Sequence, residues 1–178
     1  MIPVKVHKIS YYHPNRSYAV ILKELEGKRQ LPVLIGAYEA QAIAIAMEYM
    51  ETPRPLTHDL IVNLVQGIEA KLCAVKITQL KEGIFYSTLE IKTKELAHRK
   101  IDSRPSDALA IALRMHCPIF VSEQVMEEAV FLDENIEDIE DAIQQEPIIE
   151  TLEKQLKKAI DKEEYEMAAR IRDKIKNI

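Results

Sequence analysis

Glycine is scarce in this chain, four residues in 178. Four leave no room for a glycine-rich phosphate loop. Cysteine is scarcer, with Cys73 and Cys117 far apart in apolar surroundings. Two thiols make neither a disulfide framework nor a cysteine metal site. They read as buried free thiols in a reducing cytoplasm. A long apolar run is also missing. The longest helical one is interrupted by Glu39, Gln41 and Glu48, which excludes a bilayer span. Residues 1–10 alternate apolar and polar where an export signal would be continuously apolar, so a cytoplasmic protein with no membrane contact is expected. His-x-x-x-His pairs and nucleophile elbows are absent.

A surplus of positive charge is lacking as well. The net charge is −5, but it is unevenly placed. Residues 1–132 carry 16 basic and 15 acidic side chains, residues 133–147 carry 7 acids and no base, and residues 148–178 carry 8 bases and 7 acids. Neither flanking part is a basic nucleic-acid grip, so any contact with nucleic acid must be local. The middle stretch reads as an acidic linker whose like charges repel.

What is present suffices for a core: 47% of residues are hydrophobic and 30% charged. Residues 4–12, 18–25 and 30–35 alternate like strands of a meander. Residues 37–50 predict a helix apolar on nearly every face, hence buried. A break at Thr52-Pro53-Arg54-Pro55 precedes a second helical pattern ending near Gly67. Residues 71–81 and 84–93 form a hairpin around Glu82-Gly83, with a short strand near 99–103. A helix from Pro105, a buried strand at 119–122 and a last helix from Glu123 complete the pattern. Hairpins in each half and no strict strand–helix alternation predict an α+β fold, a mixed β-sheet packed with helices. A C-terminal helical hairpin over 148–178 follows the linker.

One local grammar occurs twice: Arg54-Pro55-Leu56-Thr57-His58-Asp59 and Arg104-Pro105-Ser106-Asp107. Proline in the first turn, a hydroxyl and an acid are ordinary helix-start residues. Arginine is not, because it opposes the positive end of the helix dipole. A helix N-terminus bearing Arg54 or Arg104 instead suits a phosphate; an Arg–Asp pair between the two copies is the competing explanation. His58, beside a carboxylate, has the chemistry of a general base or metal ligand. Glu39, in the first turn after Gly36, either balances the dipole or faces a cleft.

Together with Leu31-Pro32-Val33-Leu34-Ile35-Gly36-Ala37-Tyr38-Glu39, Ala46-Met47-Glu48 and Pro118-Ile119-Phe120-Val121-Ser122, these motifs resemble the bifunctional nuclease domain family over residues 1–132. The resemblance implies a mixed-sheet α+β homodimer acting on DNA and RNA. Residues 152–160 and 163–175 resemble the UVR domain, which implies a helical hairpin that binds a protein partner. Such a hairpin buries too little surface alone and needs a partner or its own copy.

Three functional hypotheses follow. In the first, the chain hydrolyses phosphodiester bonds with a divalent metal, Mg or Mn. Arg54, Arg104, Thr57 and Ser106 then bind substrate, His58 serves as base or ligand, and Asp59, Asp107 and Glu39 hold the metal or orient water. In the second, the cleft only binds an anion or nucleotide. In the third, the chain is a scaffold that recruits a repair or stress-response partner.

Overall fold

The computed structural model describes residues 1–12, 17–93 and 98–133. Met1–Asp133 form one compact unit. The expected hairpin over 148–178, and all of the acidic linker beyond Asp133, lie outside the described residues.

The described residues form seven strands and four helices: β1 (Ile2–Tyr12), β2 (Ser17–Glu24), β3 (Gln30–Ile35), α1 (Ala37–Met47), α2 (Thr57–Gly67), β4 (Lys71–Lys81), β5 (Ile84–Lys92), β6 (Arg99–Ser103), α3 (Pro105–Arg114), β7 (Ile119–Val121) and α4 (Glu123–Asp133). The strands make one mixed sheet in the order β3-β2-β1-β7-β4-β5-β6. The first three are the expected antiparallel meander. Short β7 joins the halves, antiparallel to β1 and parallel to β4. Four successive residues of β2, Ala19–Leu22, are buried, so both faces of the sheet are covered there. β6 at the far edge is exposed apart from half-buried Ser103.

α3 is the hub of the helical layer. Ala108, Leu109, Ala110, Ile111 and Ala112 are all buried, and the helix packs on α1, α2, β4 and β5. Three of those five are alanine, which lets neighbouring helices approach closely. The expectation that α1 is buried all round is corrected: Ala40, Ile43 and Ala46 are buried, whereas Tyr38 is exposed. α2 buries only Val62. Leu56, Leu60, Leu64 and Ile68 recur at four-residue spacing and remain 40%, 53%, 59% and 64% exposed, an apolar stripe along the helix.

Each of these three helices stops in the same way, and none uses glycine to do it. Tyr49, Glu69 and His116 take left-handed backbone at φ 50°, 54° and 50°. The amides that follow reach back five residues, Met50 N–H to the Ile45 carbonyl, Ala70 to Val65 and Cys117 to Ala112, at 2.9–3.0 Å. The α1 pattern therefore ends at Met47, three residues short of the expected 50. Left-handed backbone costs a non-glycine residue about 1 kcal/mol. Tyr49→Gly, at a 76% exposed position, is expected to stabilise the unit by about that amount. A urea midpoint unchanged or lowered by the substitution would contradict this account of the helix ends.

Candidate functional site

All three helices of the layer carry an acid at the same place, the third residue of the first turn: Glu39 in α1, Asp59 in α2 and Asp107 in α3. A carboxylate there faces unpaired amides and the positive dipole end. In α2 the bond is explicit, with the Leu56 amide donating to Asp59 Oδ2 at 2.8 Å. Leucine has no side-chain acceptor, so only this half of a capping box exists.

Around α3 these acids meet basic groups. Arg104, which caps the helix through its carbonyl, donates from Nε to Asp107 Oδ2 at 2.8 Å and from Nη2 to Oδ1 at 3.2 Å. Its Nη1 donates to Glu39 Oε1 at 3.0 Å. His58 Nε2 lies 3.2 Å from Asp107 Oδ1. One network thus draws on the first turns of α1, α2 and α3. Burial disfavours the Asp107 charge, but hydrogen bonds from Arg104 and His58 and the Arg104 charge outweigh it and hold its pKa below the ordinary value. Arg104 itself is held above its ordinary value, first by the bond to Asp107. Its side chain is 66% exposed, so the guanidinium is open to a ligand from solvent. The Glu39 carboxylate folds back over Gly36, where a Cβ would lie 2.5 Å from Oε2.

Asp59 is engaged elsewhere. Its Oδ1 accepts from Arg114 Nε at 2.6 Å, and that bond is the first cause of its lowered pKa. Sequence reasoning missed Arg114, because a basic residue in the last turn of a helix is ordinary dipole compensation. In the fold its side chain is only 9% exposed. Nη1 donates to the carbonyls of Ala42 in α1 and Ala110 in α3, at 3.0 and 2.9 Å. Nη2 is buried with no hydrogen-bond partner among the described residues.

The remaining expected residues divide. Arg54 and Thr57 are exposed, and the hydroxyl of Thr52 donates to the Arg54 carbonyl. Ser106 is buried at 6% exposure inside the first turn of α3. The pair between the two copies of the grammar is therefore His58–Asp107 rather than arginine with aspartate. Asp59 is committed to Arg114, and Asp107 and Glu39 to Arg104. Among the described residues no three histidine, cysteine or acidic side chains converge as a cation site. Glu39, Asp59 and Asp107, the candidate metal ligands, are each engaged by an arginine. The two cysteines are free and half-buried rather than fully buried. Burial first, and Cys73 nearby, push the Cys117 thiol up to about 11, which leaves it protonated and a poor nucleophile at neutral pH.

Comparison with known proteins identifies the family. Residues 20–134 match the family model described as the bifunctional nuclease domain, and residues 148–178 match the UvrB/uvrC motif. An uncharacterized protein of Mycobacterium tuberculosis is 40% identical over 147 residues, covering 82% of this chain and 87% of the relative. Bifunctional nuclease 1 of Oryza sativa subsp. japonica is 25% identical over 111 residues, 61% of this chain and 34% of the relative. Bifunctional nuclease of Oryza minuta matches to the same extent.

Removing Asp59 would leave the buried Arg114 guanidinium uncompensated. Asp59→Ala is therefore expected to cost about 3 kcal/mol in denaturant unfolding. Carboxylates with lowered pKa stabilise the fold fully above their unfolded value of about 3.9 and lose that contribution as pH falls through the lower folded value. The native chain should lose stability on acidification in that window, and Asp59→Ala should lose less. A variant as stable as the parent, with the same acid profile, would contradict the structural role of this pair.

Proposed function

Because the chain belongs to the bifunctional nuclease domain family, we propose that it hydrolyses phosphodiester bonds of DNA or RNA at the Arg104–Asp107–His58 cluster. The observation that carries this reading is the His58 Nε2–Asp107 Oδ1 contact of 3.2 Å beside an exposed guanidinium. Asp107 accepts from Nε2, so in the neutral imidazole Nδ1 of His58 is the base nitrogen. Arg104 and the free first-turn amides bind the phosphate, and Arg104 offsets charge that develops on its oxygens. His58 Nδ1 takes a proton from a water molecule as its oxygen attacks phosphorus. The ester P–O bond breaks, and the leaving oxygen takes a proton from solvent. Glu39 positions Arg104 through its Nη1, and Asp59 acts on α2 rather than on substrate. Arg54, exposed in the loop before α2, extends the phosphate contact.

General-base removal typically costs a factor of about 100 or more. His58→Ala and Asp107→Asn are expected to lose at least that much cleavage of single-stranded DNA and RNA, measured with Mg, with Mn and with a chelator. Unchanged cleavage in both folded variants would overturn the assignment.

A second reading is favoured by one observation. The Arg104 side chain is 66% exposed at the first turn of α3, an arrangement that also suits anion binding without turnover. Retained phosphate binding with no hydrolysis by the native chain would decide for it.

The reading extends to partners. The UvrB/uvrC motif at 148–178 supports a protein-binding role for that segment. Among the described residues no helix is long and apolar enough to cross a membrane. The two free thiols fit the reducing cytoplasm, the location assigned here. The apolar α2 stripe supports a homodimer, because residues at four-residue spacing form a ridge that packs against its own copy about a two-fold axis. Leu60→Asp combined with Leu64→Asp, at half-exposed positions, should turn a sedimenting dimer into a folded monomer. A dimer that survives both changes would place the interface elsewhere.

A further inference from the structure

We infer that the open face of β4, β5 and β6 binds single-stranded nucleic acid, with lysines along its backbone and Tyr86 under a base. The inference deepens the hydrolase reading by naming where the substrate strand lies.

β5 sorts its residues by face. Ser87 and Leu89 point into the core, at 0% and 9% exposure, so Ile84, Tyr86, Thr88, Glu90 and Lys92 share the opposite face. Residues directly opposite in an antiparallel pair lie on the same face. Lys71 opposes Lys92, Lys76 opposes Thr88, Lys81 opposes Ile84 and Lys100 opposes Glu90. Five lysines therefore meet on one face of three strands. Only two acids share it, Glu90 and Asp102, the latter opposite Thr88. Glu90 holds Lys76 at 2.8 Å and Lys100 at 3.9 Å.

Lys71 and Lys92 have no such arrangement with each other. Like charges directly opposite across a strand pair are destabilising, and both residues are exposed. A polyanion laid over the face relieves that repulsion. Residues 1–132, with a charge of only +1, have a surplus of positive charge on this face, as a local contact requires.

Tyr86 supplies the other half of a single-strand platform. It is 39% exposed, and Lys81 Nζ sits 5.9 Å from its ring centroid. An exposed aromatic ring on a basic sheet face is a sequence-tolerant stacking surface for a base. Ser87 opposes Ser103, so Tyr86 lies at the level of Arg104, where β6 passes into α3.

The test is anisotropy of fluorescein-labelled oligo-dT and oligo-U with the full chain in chelator, over a salt series. Lys71→Gln with Lys92→Gln should weaken binding about tenfold and reduce the slope of log K against log salt by about 1.4. Tyr86→Ala should weaken it about tenfold, while Tyr86→Phe keeps native affinity. Unfolding midpoints no lower than that of the native chain show that these surface variants remain folded. Binding with this dependence supports the inference whether or not the native chain cuts the oligonucleotide, which separates it from the hydrolase reading. No binding, binding indifferent to all three substitutions, or equal affinity for polyglutamate would overturn it.

Discussion

A guanidinium buried among helices must be compensated on every side that water cannot reach, and Arg114 imposes that requirement on the whole helical layer. It meets most of the demand by bonding Ala42 of α1, Asp59 of α2 and Ala110 of α3 at once, with Nη2 alone left without a partner among the described residues. Three helices are thereby fixed against one side chain. The alanines of α3 make this possible, because larger residues would hold α1 and α2 away. Once α2 is pinned through Asp59, its neighbour His58 is carried to Asp107. Once α1 is pinned through Ala42, Glu39 falls within reach of Arg104. The site is thus a consequence of packing at one buried cation rather than a separate construction.

The three first-turn acids show how one residue type serves two purposes. Each compensates a helix dipole, which alone is worth a few tenths of a kcal/mol to about 1 kcal/mol. What separates them is the cation each one meets. Asp59 meets a buried arginine and becomes structural. Asp107 meets an exposed arginine and a histidine, and holds the two beside each other. Glu39 meets only one arm of Arg104 and fixes its direction. Burial against pairing decides the ionisation of Asp107, and pairing prevails.

Much of this was legible in the chain itself. Gln30–Ile35, Lys71–Lys81 and Arg99–Ser103 have the bounds expected from alternation and turn residues. The repeated Arg-Pro-hydroxyl-acid grammar correctly pointed to two helix starts, and His58 and Asp107 do meet. Helix ends were less legible, because Tyr49, Glu69 and His116 occupy left-handed positions where glycine is the expected signal. The α2 end at Gly67 was read correctly, although Glu69 rather than the glycine takes the left-handed position. Arg114 was invisible because its composition and position suit a solvent-facing helix end. Its burial arises only from the approach of α1 and α2. The lysine face of β4–β6 was equally hidden, since the cross-strand register places Lys71 beside Lys92 although they lie 21 positions apart.

The central claim is that Arg104 and His58 hold a phosphodiester together. Its most direct test is nitrogen-resolved NMR of the Arg104 Nε–H and the His58 ring during titration with a non-hydrolysable phosphorothioate dinucleotide. The account predicts that both side chains shift along one binding curve with a single Kd, accompanied by the first-turn amides of α2 and α3. Shifts confined to other surfaces, with Arg104 and His58 unmoved at saturation, would contradict it.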